Sequence, residues 1–257
     1  VIRLRSLGSG SSGNATLIEA TGLRSRRLLV DCGLGPKVLA QRLLRCGLDI
    51  EDLDAVLITH EHSDHLGHAH KIATRHRLPV WMSEGTWRAG GQEDYDGLLQ
   101  ICADGQRIDM GEFEVHTFAV PHDAAEPLQL SCSDGAHRIG ILTDLGHAPP
   151  SVVEPLASCH ALLLECNHDL ELLARSSYPE FLKRRIAGDL GHLSNEQAAQ
   201  LAGSLQQGQI RQVVAAHLSR SNNQAALALA ALEQALGNSA ELSVADAQSG
   251  TDWIRPV

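Results

Sequence analysis

Thr59-His60-Glu61-His62-Ser63-Asp64-His65 follows directly on the apolar run Ala55-Val56-Leu57-Ile58. Three histidines and an aspartate between positions 60 and 65 are hard to explain except as a metal site. An extended chain turns alternate side chains to the same side, so His60, His62 and Asp64 converge while His65 starts the next turn. Imidazole and carboxylate donors at this density suit zinc, manganese or iron, not calcium or an iron–sulfur cluster. The apolar run reads as a strand, which places the donors where that strand gives way to loop.

Working outward, strand-like runs are predicted at Ile2–Leu7, Ala15–Glu19, Arg27–Val30, Ala55–Ile58 and Pro79–Met82, and again at Glu114–Val120, Leu128–Ser133, Arg138–Leu142, Ala161–Leu164 and Gln212–Ala216. Helical periodicity appears at Pro36–Cys46, Leu66–His76, Asn195–Gln206 and Gln224–Leu236. This order predicts two α/β halves whose sheets face each other with helices outside. No repeat, linker or low-complexity tract divides the 257 residues, so residues 1–257 read as one domain.

The aromatic content of 3% means that the core must be built from Leu, Ile, Val and Ala. A net charge of −10 argues against a generic nucleic-acid coat, so any polyanionic substrate must be held by a local basic patch and bound metals. The six cysteines form no C-x-x-C pair and read as reduced cytosolic thiols. No apolar run approaches the roughly 20 residues of a membrane span, and no signal-peptide pattern is evident. These features point to a cytoplasmic protein with no membrane partner. Its oligomeric state is not encoded in any motif.

In the second half, strands again end in polar residues. Val115–Val120 runs through Pro121 into His122-Asp123, Arg138–Thr143 into Asp144, and Val213–Ala216 into His217-Leu218-Ser219. Rigid strands that deliver side chains into loops are a common way to build chemistry. The ordered set H-x-H-x-D-H, then His, Asp and His, resembles the metallo-β-lactamase superfamily, with Asp31 matching its first motif, a carboxylate that supports the metal loop. The resemblance implies an αββα sandwich, an α/β fold of two facing mixed sheets with outer helices. It implies two divalent ions: His60, His62 and His122 on one, Asp64, His65 and His217 on the other, and Asp144 bridging them.

Within the superfamily, Asp144 stands where β-lactamases commonly place a cysteine, and neither Tyr95 nor Tyr178 lies in a lactonase motif. The segment Leu164-Glu165-Cys166-Asn167-His168, followed by Gly191-His192-Leu193-Ser194-Asn195, resembles the ribonuclease Z pattern. By that resemblance Glu165 orients His192, and His192 handles protons near the departing oxygen; otherwise His192 simply precedes the helix N-cap Ser194. The His122–Asp144 spacing is too short for the arm that grips transfer RNA, and the Asp144–His217 spacing too short for the extra domain of β-CASP nucleases. Taken with Ser6-Leu7-Gly8-Ser9-Gly10-Ser11-Ser12-Gly13-Asn14-Ala15, these motifs resemble the WalJ/YycJ-like branch. That branch implies a metal-dependent phosphodiesterase, a 5′→3′ exonuclease on DNA that uses a hydroxide activated by the ion pair, with Asp64, Glu165 and His192 in catalytic positions.

Three features stay open at this level. The glycine–serine loop reads either as a tight hairpin or as an anion-binding nest. Lys183-Arg184-Arg185 either contacts phosphates or forms a solvated helix face. His168 and Asp169 lie near Glu165 without an assigned role. The rival activity is hydrolysis of a small ester, thioester or lactone on the same metals, which predicts an enclosed apolar slot where a nuclease predicts an open groove with basic walls.

Overall fold

Leu28, Leu29 and Val30 are all buried, yet they serve two different cores. Leu28 and Val30 face the space between the sheets, whereas Leu29 faces the outer helices, as the period of two along a strand requires. The same division runs through Ala161–Leu164: Leu163 joins the central core, and Leu162 and Leu164 pack beneath helices. Strands buried on both faces read as continuous apolar runs, which is why they were conspicuous in the sequence.

The computed structural model describes residues 1–205 and 208–256. In the first half, β1 (Ile2–Gly8), β2 (Ala15–Thr21) and β3 (Ser25–Val30) form an antiparallel meander. Helix α1 (Pro36–Leu44) leads to β4 (Ala55–Leu57), α2 (Ala69–His76), β5 (Val80–Met82), α3 (Glu84–Ala89) and β6 (Leu99–Ile101), and β4 to β6 extend the sheet in parallel from β3. The second half opens with antiparallel β7 (Arg107–Asp109), β8 (Glu114–Ala119), β9 (Leu128–Ser133) and β10 (Arg138–Leu142). It continues through α4 (Pro150–Leu156), β11 (Ala161–Glu165), α5 (Leu170–Arg175), α6 (Glu180–Ile186), α7 (Asn195–Leu205), β12 (Gln212–Ala216), α8 (Ala225–Leu236) and β13 (Glu241–Val244). Here β10 to β13 run parallel.

The result is a six-stranded sheet facing a seven-stranded one, with Leu4, Ile18, Leu57, Val115, Leu130 and Val214 among the side chains packed between them. On the outer faces, Leu39, Leu43 and Ile72 cover the first sheet, and Val152, Leu201 and Leu232 cover the second. This is the αββα sandwich that the motifs predict. The predicted helix Asn195–Gln206 is α7 as far as Leu205; Gln206 lies outside the described residues, as does Val257. Among the described residues no helix is long and apolar enough to cross a membrane.

One element differs in a way that matters. Periodicity predicts a helix from Leu66, but α2 starts at Ala69. The preceding residues are taken up by turns, with the N–H groups of both His65 and Leu66 donating to His62 O at 2.9 Å. Those turns hold the histidine cluster in place.

Candidate metal centre

Parallel strands bring their C-terminal ends to one edge, and this chain places its polar residues there. Asp31 follows β3, Asp144 lies just past β10, and His217 follows β12. All three take left-handed backbone conformations, with φ of 63°, 56° and 54°. Non-glycine residues there cost on the order of 1–3 kcal/mol each and persist only where surrounding contacts demand it.

In the first half, those contacts centre on Asp31. It accepts from Thr59 N–H at 2.9 Å and from Thr59 Oγ1 at 3.0 Å, and its Oδ2 lies 2.7 Å from His65 Nδ1. With Nδ1 occupied in this way, His65 presents Nε2 to the site. His60 is set in the same manner, with Nδ1 3.0 Å from Thr59 Oγ1. Gly33 lets this loop close, because a Cβ there would overlap the Asp64 carbonyl.

Glu165 does the corresponding work in the second half. It is fully buried at the end of β11, and its Oε1 lies 2.9 Å from both His192 Nδ1 and His217 Nδ1. The same carboxylate accepts the N–H groups of Asp144 at 3.1 Å, Leu145 at 3.3 Å and Leu193 at 2.9 Å. The sequence pointed to Glu165 only as the partner of His192. The structure adds His217 and the backbone of the Asp144 turn.

All seven residues predicted to bind metal converge. The donor atoms of His60, His62 and His122 lie within 4.8 Å of one another, and so do those of Asp64, His65 and His217. Asp144 stands between the two groups, 3.1 Å from His65 Nε2, 3.3 Å from His217 Nδ1 and 4.0 Å from His122 Nε2. Among the described residues Asp144 Oδ2 and His217 Nε2 are buried and meet no partner in hydrogen-bond geometry, their neighbours being His65 Nε2 at 3.1 Å and Asp64 Oδ2 at 3.6 Å. Buried polar atoms without partners call for an explanation, and these two sit within the clustered donor set. The residues fit divalent cations.

The charges agree with this fit. Burial, joined by the neighbouring His65, holds the His60 imidazole well below its ordinary value, and burial likewise lowers His122. Burial also pulls His65 and His217 down, but carboxylates outweigh it. Asp144 and Asp31 raise His65 well above the usual range, and Asp144, Asp64 and Glu165 raise His217 to about 10. Burial pushes Asp144 and Glu165 up, but His217 and His65 hold Asp144 well below the carboxylate range, and His192 with His217 brings Glu165 to about 2. His192 is raised, its burial outweighed by Glu165. A cation held on His65 and His217 would compete with protons for the same ring nitrogens.

A cavity of about 340 Å³ opens over this cluster. His62, Asp64, Asp144, His192 and His217 line it, with Tyr178, Leu182 and Ile186 as an apolar wall and Ser11, Asn167 and Ser219 as polar lining. Neither the enclosed apolar slot nor a groove with continuous basic walls describes it. Of the basic triplet, Lys183 pairs with Glu180 and Arg185 with Asp123, leaving Arg184 without a carboxylate partner among the described residues. Asp169 caps α5 by accepting from Leu172 N–H at 2.9 Å, which accounts for it structurally. His168 is buried, has no hydrogen bond to either ring nitrogen among the described residues, and does not line the cavity. Tyr178 carried no motif, and only its position before Pro179 and α6 brings it to the site.

Residues 26–218, more than half of the chain, match the beta-lactamase superfamily domain. Exodeoxyribonuclease YycJ of Bacillus anthracis is 34% identical over 235 residues, covering 90% of this chain and 87% of that protein. Exodeoxyribonuclease WalJ of Streptococcus pneumoniae is 35% identical over 222 residues, 84% of this chain and 81% of that one. The crystal structure of the metallo-beta-lactamase fold protein YhfI from Bacillus subtilis superposes with a TM-score of 0.75, covering 99% of this chain and 100% of that chain. At 18% identity that likeness speaks to the fold alone.

Proposed function

The chain belongs to the β-lactamase superfamily and is a hydrolase of that fold, and from this premise we propose that it cleaves phosphodiester bonds in nucleic acid, as a 5′→3′ exonuclease on DNA. The observation that carries the reading is His192. It lines the cavity beside the clustered donors, with Nδ1 held 2.9 Å from the buried Glu165 carboxylate. Sequence relatives named as exodeoxyribonucleases, aligned over most of the chain, support the choice of DNA.

His60, His62 and His122 would hold one divalent ion, Asp64, His65 and His217 a second, and Asp144 both; the donor set suits zinc or manganese, with iron as the third candidate. Bound there, the ions would supply Lewis acidity to a water and to the phosphate oxygens. The chain's own groups do the rest. Glu165 fixes His192 with its Nδ1 proton facing the carboxylate, which leaves Nε2 to give a proton to the departing oxygen. Proton transfer from a positioned side chain typically contributes 10²–10⁴-fold. Tyr178, Leu182 and Ile186 offer an apolar face of the kind on which a nucleobase rests. Because the donors come from both halves, the 1–257 chain acts as one unit.

The test supplies metal-reconstituted protein with 5′- and 3′-labelled DNA and RNA, bis-p-nitrophenyl phosphate and a thioester. Release of mononucleotides from the 5′ end of DNA is expected. Hydrolysis of the thioester alone overturns the nuclease reading in favour of the ester-hydrolase rival.

A further inference from the structure

The motif that this chemistry leaves unused is the loop Gly8–Asn14, and the structure places it on the lip of the cavity. Its base is tied to the site. Ser9 Oγ accepts from His217 N–H at 2.8 Å, and Asn14 N–H donates to Asp64 O at 2.7 Å. Asn14 Oδ1 accepts from Gly10 N–H at 2.8 Å, while Asn14 Nδ2 lies 3.0 Å from His65 Nε2. Gly13 has a φ of +135°, and a Cβ there would come within 2.7 Å of the Gly33 carbonyl. The loop is thus packed shut everywhere except at its tip.

That tip is open and rich in donors. Ser11 and Ser12 are exposed, and their N–H groups meet no acceptor among the described residues. Ser11 lines the cavity beside His62, Asp64 and His217. Arg220, three residues past His217, reaches the tip, its Nη2 donating to Ser12 Oγ at 2.9 Å. Among the described residues no carboxylate pairs with Arg220, in a chain of net charge −10. Arg185, which also lines the cavity, is already paired with Asp123 at 2.6 Å. An unpaired guanidinium, two hydroxyls and two free N–H groups beside a phosphodiesterase centre are a donor set for a phosphate.

We propose that Arg220 and the Ser11–Ser12 tip form a subsite for the 5′-terminal phosphate of the DNA strand; this rests on the nuclease reading. A terminal monoester carries roughly −1.5 to −2 charges at neutral pH, more than an internal diester, so an isolated cation with spare donors favours an end over a mid-strand position. The ion cluster stays a general phosphodiester centre, and the loop makes it select the end of the strand. Arginine suits this role because its planar fork meets phosphate oxygens in pairs, which a lysine cannot do.

The experiment compares one DNA duplex carrying either a 5′-phosphate or a 5′-hydroxyl, digested by the metal-loaded full chain, with bis-p-nitrophenyl phosphate as an end-free substrate. The wild type should favour the phosphorylated duplex by about tenfold or more, the scale of one charge-assisted contact, and the preference should lie in KM. In Arg220→Ala the ratio should collapse to within about twofold, with Ser12→Ala intermediate and Arg220→Lys restoring only part of it. The ratio is internal to each variant, so a general loss of activity does not imitate the effect. Equal rates on both duplexes in the wild type, or a ratio that survives in Arg220→Ala, overturn the subsite and leave the nuclease reading standing. If both duplexes and the small diester stay intact, the nuclease reading falls and takes the subsite with it.

Discussion

Replacing Glu165 with glutamine should damage the molecule well beyond the loss of its contact with His192. The carboxylate takes five donors: His192, His217 and Asp144 N–H on Oε1, and Leu145 and Leu193 N–H on Oε2. An amide keeps one acceptor and presents an NH2 in place of the other. In the milder orientation that NH2 faces the N–H groups of Leu145 and Leu193, leaving two buried donors unpaired at about 1–3 kcal/mol each. The expected loss is therefore about 2–6 kcal/mol, a large share of the roughly 5–15 kcal/mol that holds a domain folded. Because His217 loses its anchor too, ion affinity should fall by about 10–100-fold, the usual effect of disturbing the group behind a ligand. Urea unfolding of metal-free Glu165→Gln reads the first quantity and calorimetric titration with zinc the second. A midpoint and an affinity both equal to wild type would refute the argument that Glu165 ties His192 and His217 into one cluster.

Three further outcomes follow from single observations. His192→Ala should keep its full complement of bound ions by atomic absorption while turnover drops by about 10²–10⁴-fold; loss of the ions would show that His192 is a ligand. Ellman's reagent at pH 8 should find one reactive thiol in the native chain and six after unfolding, because Cys46 alone is half-buried. Burial pushes Cys32, Cys102 and Cys159 to about 12, and Cys132 and Cys166 higher still, so several thiols reacting at once would contradict the packing. Asp134 accepts the N–H groups of Ile2, Ala136 and His137 at 2.7–3.0 Å, linking the β9–β10 turn to β1, so Asp134→Ala should cost about 1–3 kcal/mol at pH 7. Those bonds outweigh burial and hold its pKa below the ordinary 3.8, so the folded state binds fewer protons there than the unfolded chain. The gap between wild type and Asp134→Ala should be full above that value and shrink as the pH falls through it; a gap that widens in acid would refute the assignment.

The sandwich was legible because strands such as Ala161–Glu165 are buried on both faces and spell out their burial residue by residue. The cluster at His60–His65 was legible from density alone, and His122, Asp144 and His217 from the habit of ending a strand in a polar residue. The edge strands β6 and β13 have no fully buried position, so they carry no alternation to find. Helix α6 has no buried residue either, and its apolar face is only the pair Leu182 and Ile186 that it supplies to the cavity wall. The link from Glu165 to His217 crosses 52 positions and depends on β11 and β12 being neighbours, a pairing that no local pattern contains. Asn14 was hidden for the same reason, since its contacts with Asp64 and His65 exist only once β2 lies in its sheet.

His60, His62, Asp64 and His65 are carried by one sheet, and His122, Asp144 and His217 by the other. A cation that takes donors from both would work as a rivet, because either part alone offers it only some of the donors. Its binding free energy then counts toward the docking of the two layers. A chain whose halves have slipped apart would lose the complete donor set, and with it any ion held there, before it unravelled.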